Sequence, residues 1–216
     1  MSLNVSASGG GDYQIVPEGV YIGKCFKIID LGTQKVEWQG AVKEQKKVLI
    51  SWELLGADAP VMEDKRPFAV SRKYTASLDD RGNLRKDLEA WRGRKFSELE
   101  LENFDLKTVL GANCMIQVVH SDDGKYANVN SIMATKEKPV GINPLVSFDI
   151  DDPDMDIYDT FSDKMKEQIN AAPEFQMAQR SKQAPVIEQS SEHFPSESND
   201  PFDEEEPINL ADIPFW

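Results

Sequence analysis

Residues 68–91 read FAVSRKYTASLDDRGNLRKDLEAW, and their periodicity changes halfway. The first eleven are rich in aromatic, β-branched and small side chains and end without a helical repeat, which reads as a strand over 68–78. Asp79-Asp80-Arg81-Gly82 then breaks the chain. Beyond it Leu84, Leu88 and Trp91 recur at i, i+4 and i+7, the spacing of one helical face. Asn83 is the expected N-cap of that helix, and Gly93 stops it. A strand that hands over to a helix in mid-chain fixes the order of everything around it.

Upstream, residues 20–31 (VYIGKCFKIIDL) follow the turn signal Pro17-Glu18-Gly19 and put Val20, Ile22, Lys24, Phe26 and Ile28 on one strand parity. Residues 47–55 (KVLISWELL) read as a second strand, with Trp52 sharing the core parity of Ile50 and Leu54. Downstream, Ser97 caps a short turn over 98–103. Residues 114–120 (CMIQVVH) and 126–134 (YANVNSIMA) flank Ser-Asp-Asp-Gly-Lys, a hairpin signal. The order is β-β-β-α-β-β. The fold class predicted is mainly β, a five-stranded OB-fold Greek-key barrel with a helix between strands 3 and 4. Residues 14–138 form this domain, and 1–13 are a Ser/Gly-rich flexible N-terminus. Residues 139–182 read as an acidic linker with one short helix, since Phe161, Met165 and Ile169 are spaced by four. Residues 183–216 read as a disordered acidic tail.

The charge divides in the same place. Residues 1–138 hold 20 basic and 20 acidic side chains, whereas 139–216 hold 4 and 18, so the whole net charge of −14 lies in the last third. No window has 18 consecutive apolar residues, and the N-terminus lacks the pattern of a secretory signal, which argues against a membrane span and against export. Cys25, Cys114, His120 and His193 are isolated from one another and spell no zinc motif, so a reduced cytoplasm is the expected setting. There is no GxxxxGK[ST] loop and no GxGxxG turn, so no nucleotide cofactor is expected. Asp151, Asp152, Asp154 and Asp156 lack the Gly and the spaced Glu of a calcium loop, and neither a metal nor catalysis is expected of them.

The basic stretch 65–95 carries Lys65, Arg66, Arg72, Lys73, Arg81, Arg85, Lys86, Arg92, Arg94 and Lys95 against four acids, Asp79, Asp80, Asp87 and Glu89. Phe68, Tyr74, Trp91 and Phe96 interleave it. Cations that track phosphates beside aromatic faces that stack on unpaired bases are what single-stranded nucleic acid binding needs. Residues 43–47 (KEQKK) add Lys43, Lys46 and Lys47 in the connection between the first two strands, with Trp38 upstream in a Gly- and Gln-rich loop. The candidate DNA contacts are therefore Trp38, Lys43, Lys46, Lys47, Arg66, Arg72, Lys73, Tyr74, Arg81, Arg85, Lys86, Arg92, Arg94 and Lys95, with Lys125 and Tyr126 from the later hairpin. The alternative for the basic stretch is a solvated charged face with Trp91 in the core.

The tail ends PFDEEEPINLADIPFW. Apolar residues behind an acidic run on a polar segment make sense as a peptide read by a pocket on another protein. Asp203, Glu204, Glu205, Glu206, Asp212, Ile213, Pro214, Phe215 and Trp216 are its candidate partner contacts. The same polyanion is expected to compete with DNA for the basic surface.

Asp212-Ile213-Pro214-Phe215 behind 204–206 resembles the acidic tip of bacterial single-stranded DNA-binding proteins, which pair an OB-fold with a disordered tail that recruits replication and repair proteins. Trp216 departs from that pattern, in which Phe is last. The body is similar to single-stranded DNA-binding proteins of tailed bacteriophages. Val16-Pro17-Glu18-Gly19-Val20-Tyr21, residues 104–114 (FDLKTVLGANC) and residues 169–175 (INAAPEF) carry that likeness. The resemblance implies a non-enzymatic protein that coats single-stranded DNA without sequence preference during phage replication, recombination or repair. It also implies partner proteins held by the tail, in the cytoplasm of a bacterial host. The competing expectation is a protein-interaction or host-inhibitory module that acts through the tail.

Overall fold

The computed structural model describes residues 14–38 and 40–183. Among these, β1 (Gly19–Trp38), β2 (Ala41–Leu55), β3 (Ala69–Thr75), β4 (Asn113–His120), β5 (Ala127–Met133) and β6 (Val146–Phe148) form one sheet. The path is β3-β2-β1-β4-β5, antiparallel at each step, and β6 joins β1 in parallel. Between β3 and β4 lie α1 (Asn83–Arg92), α2 (Glu98–Glu102) and a 3-10 turn at Leu106–Val109. After β6 come α3 (Met155–Asp159), α4 (Asp163–Asn170) and α5 (Pro173–Gln183).

β1 organises the sheet because it pairs with three strands. It meets β4 over its first six residues and β6 at Lys27–Ile29, and it meets β2 almost throughout. Irregularities in register at Cys25/Lys27 and Asp30/Gly32 bend it between these partners. Gly32 is required at the second: its φ is +64°, and a Cβ there would stand 2.6 Å from Ile150 Cδ1 and 2.7 Å from Ala172 Cβ. Beyond Gly32 the β1–β2 pair continues as an arm to its last pair, Trp38 with Ala41. The two path ends, β3 and β5, are bridged by Arg72, which donates to the Asn130 carbonyl at 3.5 Å, and α1 packs on both strands.

Strand alternation divides the apolar side chains between the two faces of the sheet. On the inner face Val48, Ile50, Trp52 and Leu54 of β2 meet Cys25, Ile28, Cys114, Ile116 and Val118. The helical stripe Leu84, Leu88 and Trp91 closes over them. The Trp91 and Trp52 rings lie 5.8 Å apart, and the Trp91 indole donates to the Asn113 carbonyl at 2.8 Å. On the outer face a second cluster joins Ile29 and Leu31 of β1 to Phe148, Ile150, Tyr158, Phe161, Ile169, Ala172 and Phe175. Tyr158 and Phe175 stack at 5.1 Å within it.

The sequence expectations meet this structure as follows. The mainly-β class and the helices between the third and fourth strands are present, in a sheet that β6 extends to six strands. Residues 139–182, expected as an acidic linker with one short helix, carry that helix as α4 and also β6, α3 and nearly all of α5, and they supply most of the second cluster. Asn83 is not the cap of α1 but its first helical residue. The turn closed by Gly82 N–H on the Asp79 carbonyl at 2.8 Å already sets Gly82 in the extended conformation that an N-cap needs. Gly93 does end α1, in the left-handed conformation, and Ser97 forms a full capping box with Glu100 on α2. Trp38 and 43–47, expected in a loop, belong to the paired strands of the arm.

Candidate nucleic-acid interface

Every arginine of the basic stretch has an acid of the fold beside it, three of them in partly buried pairs. Arg72 pairs with Asp87 at 2.9 Å and lies 5.3 Å from the Tyr74 ring centre. Arg85 pairs with Glu89 one helical turn on, at 3.0 Å. Arg92 pairs with Glu100 and sits over the Phe96 and Phe104 rings at 4.4 and 5.3 Å. Arg94 reaches the same carboxylate with two bonds, at 2.7 and 2.9 Å. These contacts, with the Ser97 amide and despite a small burial cost, hold the Glu100 carboxyl far below the usual carboxylate range. Arg66 is held by Asp64, Arg81 lies near Asp79 and Asp80, and Lys125 lies 3.6 Å from Asp123. Tyr74 is buried with its hydroxyl on Asp87, so it presents no face to a base. Lys86 and Lys95 are exposed around the end of α1, and Tyr126 is exposed at the start of β5.

The arm sorts its charges by face. Directly opposed residues share a face of a pair. One face carries Thr33 with Lys46, Lys35 with Glu44, and Glu37 with Val42, a mixture of signs. There Lys46 lies between Asp30 at 3.2 Å and Asp151 at 3.6 Å. Burial lowers its pKa, and those carboxylates more than offset this and leave it raised.

The other face carries Gln34 with Gln45 and Val36 with Lys43, and then Lys47 opposite Gly32. It continues onto β3, where Lys47 faces Thr75 and Lys73 faces Leu49. The Lys47 ammonium donates to Gln45 Oε1 at 2.7 Å and Thr75 Oγ1 at 2.9 Å. The Lys73 ammonium donates to Gln168 Oε1 of α4 at 2.7 Å. No carboxylate lies within ion-pair distance of Lys43, Lys47 or Lys73 among the described residues. Burial lowers the pKa of Lys47. Burial also lowers that of Lys73, helped by the charges of Lys47 and Lys164. This row of lysines among neutral amides and a hydroxyl is an unspent positive surface.

The C-terminal elements set its limit. Further along the same face of β2 come Leu49, which packs on the second cluster, and Ser51 and Glu53, both buried. The segment 139–145 crosses the sheet there. Asn113 Nδ2 donates to the Pro139 carbonyl at 3.4 Å, and Glu53 Oε2 accepts from the Ile142 and Asn143 amides, each at 3.1 Å, and from Asn143 Nδ2 at 2.8 Å. Glu174 of α5 accepts from the Thr33 amide at 3.1 Å and its hydroxyl at 2.5 Å, and Gln34 Nε2 donates to the Gln168 carbonyl at 2.9 Å. The open part of the outer face is thus the arm and the lysine row at its base. Sequence reasoning included Lys43, Lys47 and Lys73 and expected the helix that is α4, but missed its place beside them, because nothing local in 161–171 tells which surface its apolar stripe covers.

The remaining candidates place simply. Trp38 ends β1 at the tip of the arm. The tail contacts from Asp203 to Trp216 lie outside the described residues. Asp154 caps α3 by accepting from the Asp156 and Ile157 amides. No group of three or more His, Cys, Asp or Glu side chains is placed to hold a metal among the described residues. Burial pushes the Cys25 thiol up to about 12 and raises Cys114 as well, so neither is a ready nucleophile at neutral pH. No helix of the described residues is long and apolar enough to cross a membrane. No protein-family model matches the chain, and no curated protein matches it either.

Proposed function

We propose that the chain is a non-enzymatic, sequence-tolerant single-stranded DNA-binding protein built on an OB barrel. The strand path β3-β2-β1-β4-β5, with α1 between β3 and β4 and packed over both path ends, supports the barrel reading. The observation that carries the function is the one-sided row Lys43, Lys47 and Lys73 on the open end of the outer face, with no acid paired to it. Ammonium groups hydrogen-bonded only to neutral acceptors can exchange those partners for phosphate oxygens without breaking an ion pair. The proposal extends to the resemblance: a phage protein acting on strands exposed in replication, recombination or repair, with partners recruited by the tail.

The test is a titration of the full chain with oligo-dT, oligo-rU and duplex DNA at two salt concentrations. Tryptophan fluorescence reads it out. Tighter binding to the single strand than to duplex, weakening with salt at roughly −0.7 per phosphate contact on a log–log plot, is the expected result. Trp52 and Trp91 are buried in the inner core, so in a Trp216→Phe background the signal should vanish in Trp38→Phe if the strand lies along the arm. Absence of binding to all three ligands rejects the reading.

One observation favours the second reading, a protein-interaction module. Val140, Ile142 and Leu145 on the crossing segment are 86%, 68% and 52% exposed. Three large apolar residues exposed within six positions are the kind of feature a protein partner covers.

A further inference from the structure

We infer that α4 is part of the strand-binding site, and that Lys164 joins Lys47 and Lys73 in holding one backbone phosphate between the sheet and the C-terminal helices. The inference rests on the strand-binding reading above and adds to it an element outside the five-stranded body. The three lysines come from three separate elements, β2, β3 and α4. Lys73 is the centre: its ammonium donates to Gln168 Oε1 on α4 at 2.7 Å, and Lys164 stands one helical turn before Gln168 on the same face of that helix.

Lys47 and Lys73 donate only to neutral groups, Gln45, Thr75 and Gln168. Asp163 and Glu167 flank Lys164 along the helix, and neither pairs with any of the three lysines among the described residues. By contrast, Lys46 on the opposite face of the arm is matched with Asp30 and Asp151, and Lys166 on α4 is matched with Asp159. Three like charges held together without a counter-charge cost free energy, which a bound anion relieves. A phosphate seated there would bridge β2–β3 to α4. Strand binding would then tighten the docking of the C-terminal helices, which already touch the arm through Gln34 with Gln168 and Thr33 with Glu174.

The experiment uses the full chain and two readouts, oligo-dT affinity as a function of salt and hydrogen exchange of α4 with and without oligo-dT. Lys164→Gln is compared with Lys166→Gln, a control on the same helix. Lys164 is exposed, so its substitution leaves the fold intact. In the parent chain, oligo-dT should slow exchange in α4. Lys164→Gln should lose that protection, weaken binding severalfold at low salt, and show a shallower salt dependence by up to roughly 0.7 in log–log slope. Lys166→Gln should behave as the parent.

Pairing Lys164→Gln with Lys73→Gln should give a non-additive loss, as expected for two groups on one phosphate. Parent-like affinity in Lys164→Gln, unchanged α4 exchange on binding, or strict additivity overturns the inference while leaving strand binding in place. A parent chain that binds no strand overturns both.

Discussion

The Tyr74 hydroxyl donates to the Asp87 carboxylate at 2.8 Å, and Arg72 reaches the same oxygen at 2.9 Å. This triad ties β3 to the inward turn of α1 and removes an aromatic ring and a guanidinium from the candidate DNA surface. Burial, with the Asp87 charge, drives the Tyr74 pKa well up, so the phenol stays protonated as a donor throughout the working pH range. Tyr74→Phe should therefore cost stability, about 1 kcal/mol for a hydrogen bond to a carboxylate that keeps its Arg72 partner. Strand affinity should be unchanged. Urea unfolding and an oligo-dT titration of the same variant check both; a stable but binding-defective variant would place the Tyr74 hydroxyl in the strand contact.

Gly141 is fixed by close approach. A Cβ there would stand 1.7 Å from Glu53 Oε1, against a carboxylate that is fully buried and held by the next two amides. The same Cβ would also stand 2.8 Å from Lys24 Cδ, so it meets a second side chain. Gly141→Ala should lift the crossing segment and destabilise the fold by about 1–3 kcal/mol, the usual range for overpacking. Chemical denaturation gives the magnitude, and faster hydrogen exchange at the Ile142 and Asn143 amides locates it. An unchanged midpoint would show that the segment is not anchored through Glu53.

The strand-to-helix switch at 68–91 was legible because both periods are local: Leu84, Leu88 and Trp91 fall on one helical face, and all three are buried. Trp52 was legible as core for the same reason. The arm was not, because Lys35, Glu37, Lys43 and Glu44 carry no apolar alternation. Their strands are held by backbone pairing rather than by a buried face. β6 is three residues long, too short for any period. The basic stretch misled most. Arg72, Arg85 and Arg92 look like free cations in one dimension, but their acids, Asp87, Glu89 and Glu100, lie one helical turn or one loop away and meet them only once the chain folds. What sets Lys43, Lys47 and Lys73 apart is that register lines them up on one face with no such partner, which is invisible in composition.

That distinction predicts a divided response to charge removal. Lys43→Gln and Lys47→Gln remove groups with no acid partner, so each should weaken oligo-dT binding and reduce the salt dependence by roughly 0.7 in log–log slope. Arg66→Gln and Arg81→Gln remove groups already engaged with Asp64 or near Asp79, so affinity and slope should stay close to the parent. Salt titrations of the four variants decide it. Equal losses across all four would mean that the surface acts through net charge alone and that the row has no special place.

Lys73 should also give strand binding a pH dependence. Burial lowers its pKa, and the like charges of Lys47 and Lys164 lower it further. Only the ammonium form attracts a phosphate, so raising the pH through a depressed pKa discharges Lys73 while ordinary lysines, near ~10.4, remain charged. Affinity for oligo-dT should be level near neutral pH and start to fall on the alkaline side before that ordinary value is reached. A bound phosphate pulls the pKa back up, so affinity should decline from the pKa of the free protein up to that of the complex. Lys73→Arg keeps its charge throughout this range, since a guanidinium does not titrate there, and should reduce the fall to the part that Lys47, also lowered by burial, contributes. Anisotropy titrations at constant ionic strength would measure both curves, and superimposable profiles for the parent and Lys73→Arg would remove Lys73 from the contact surface.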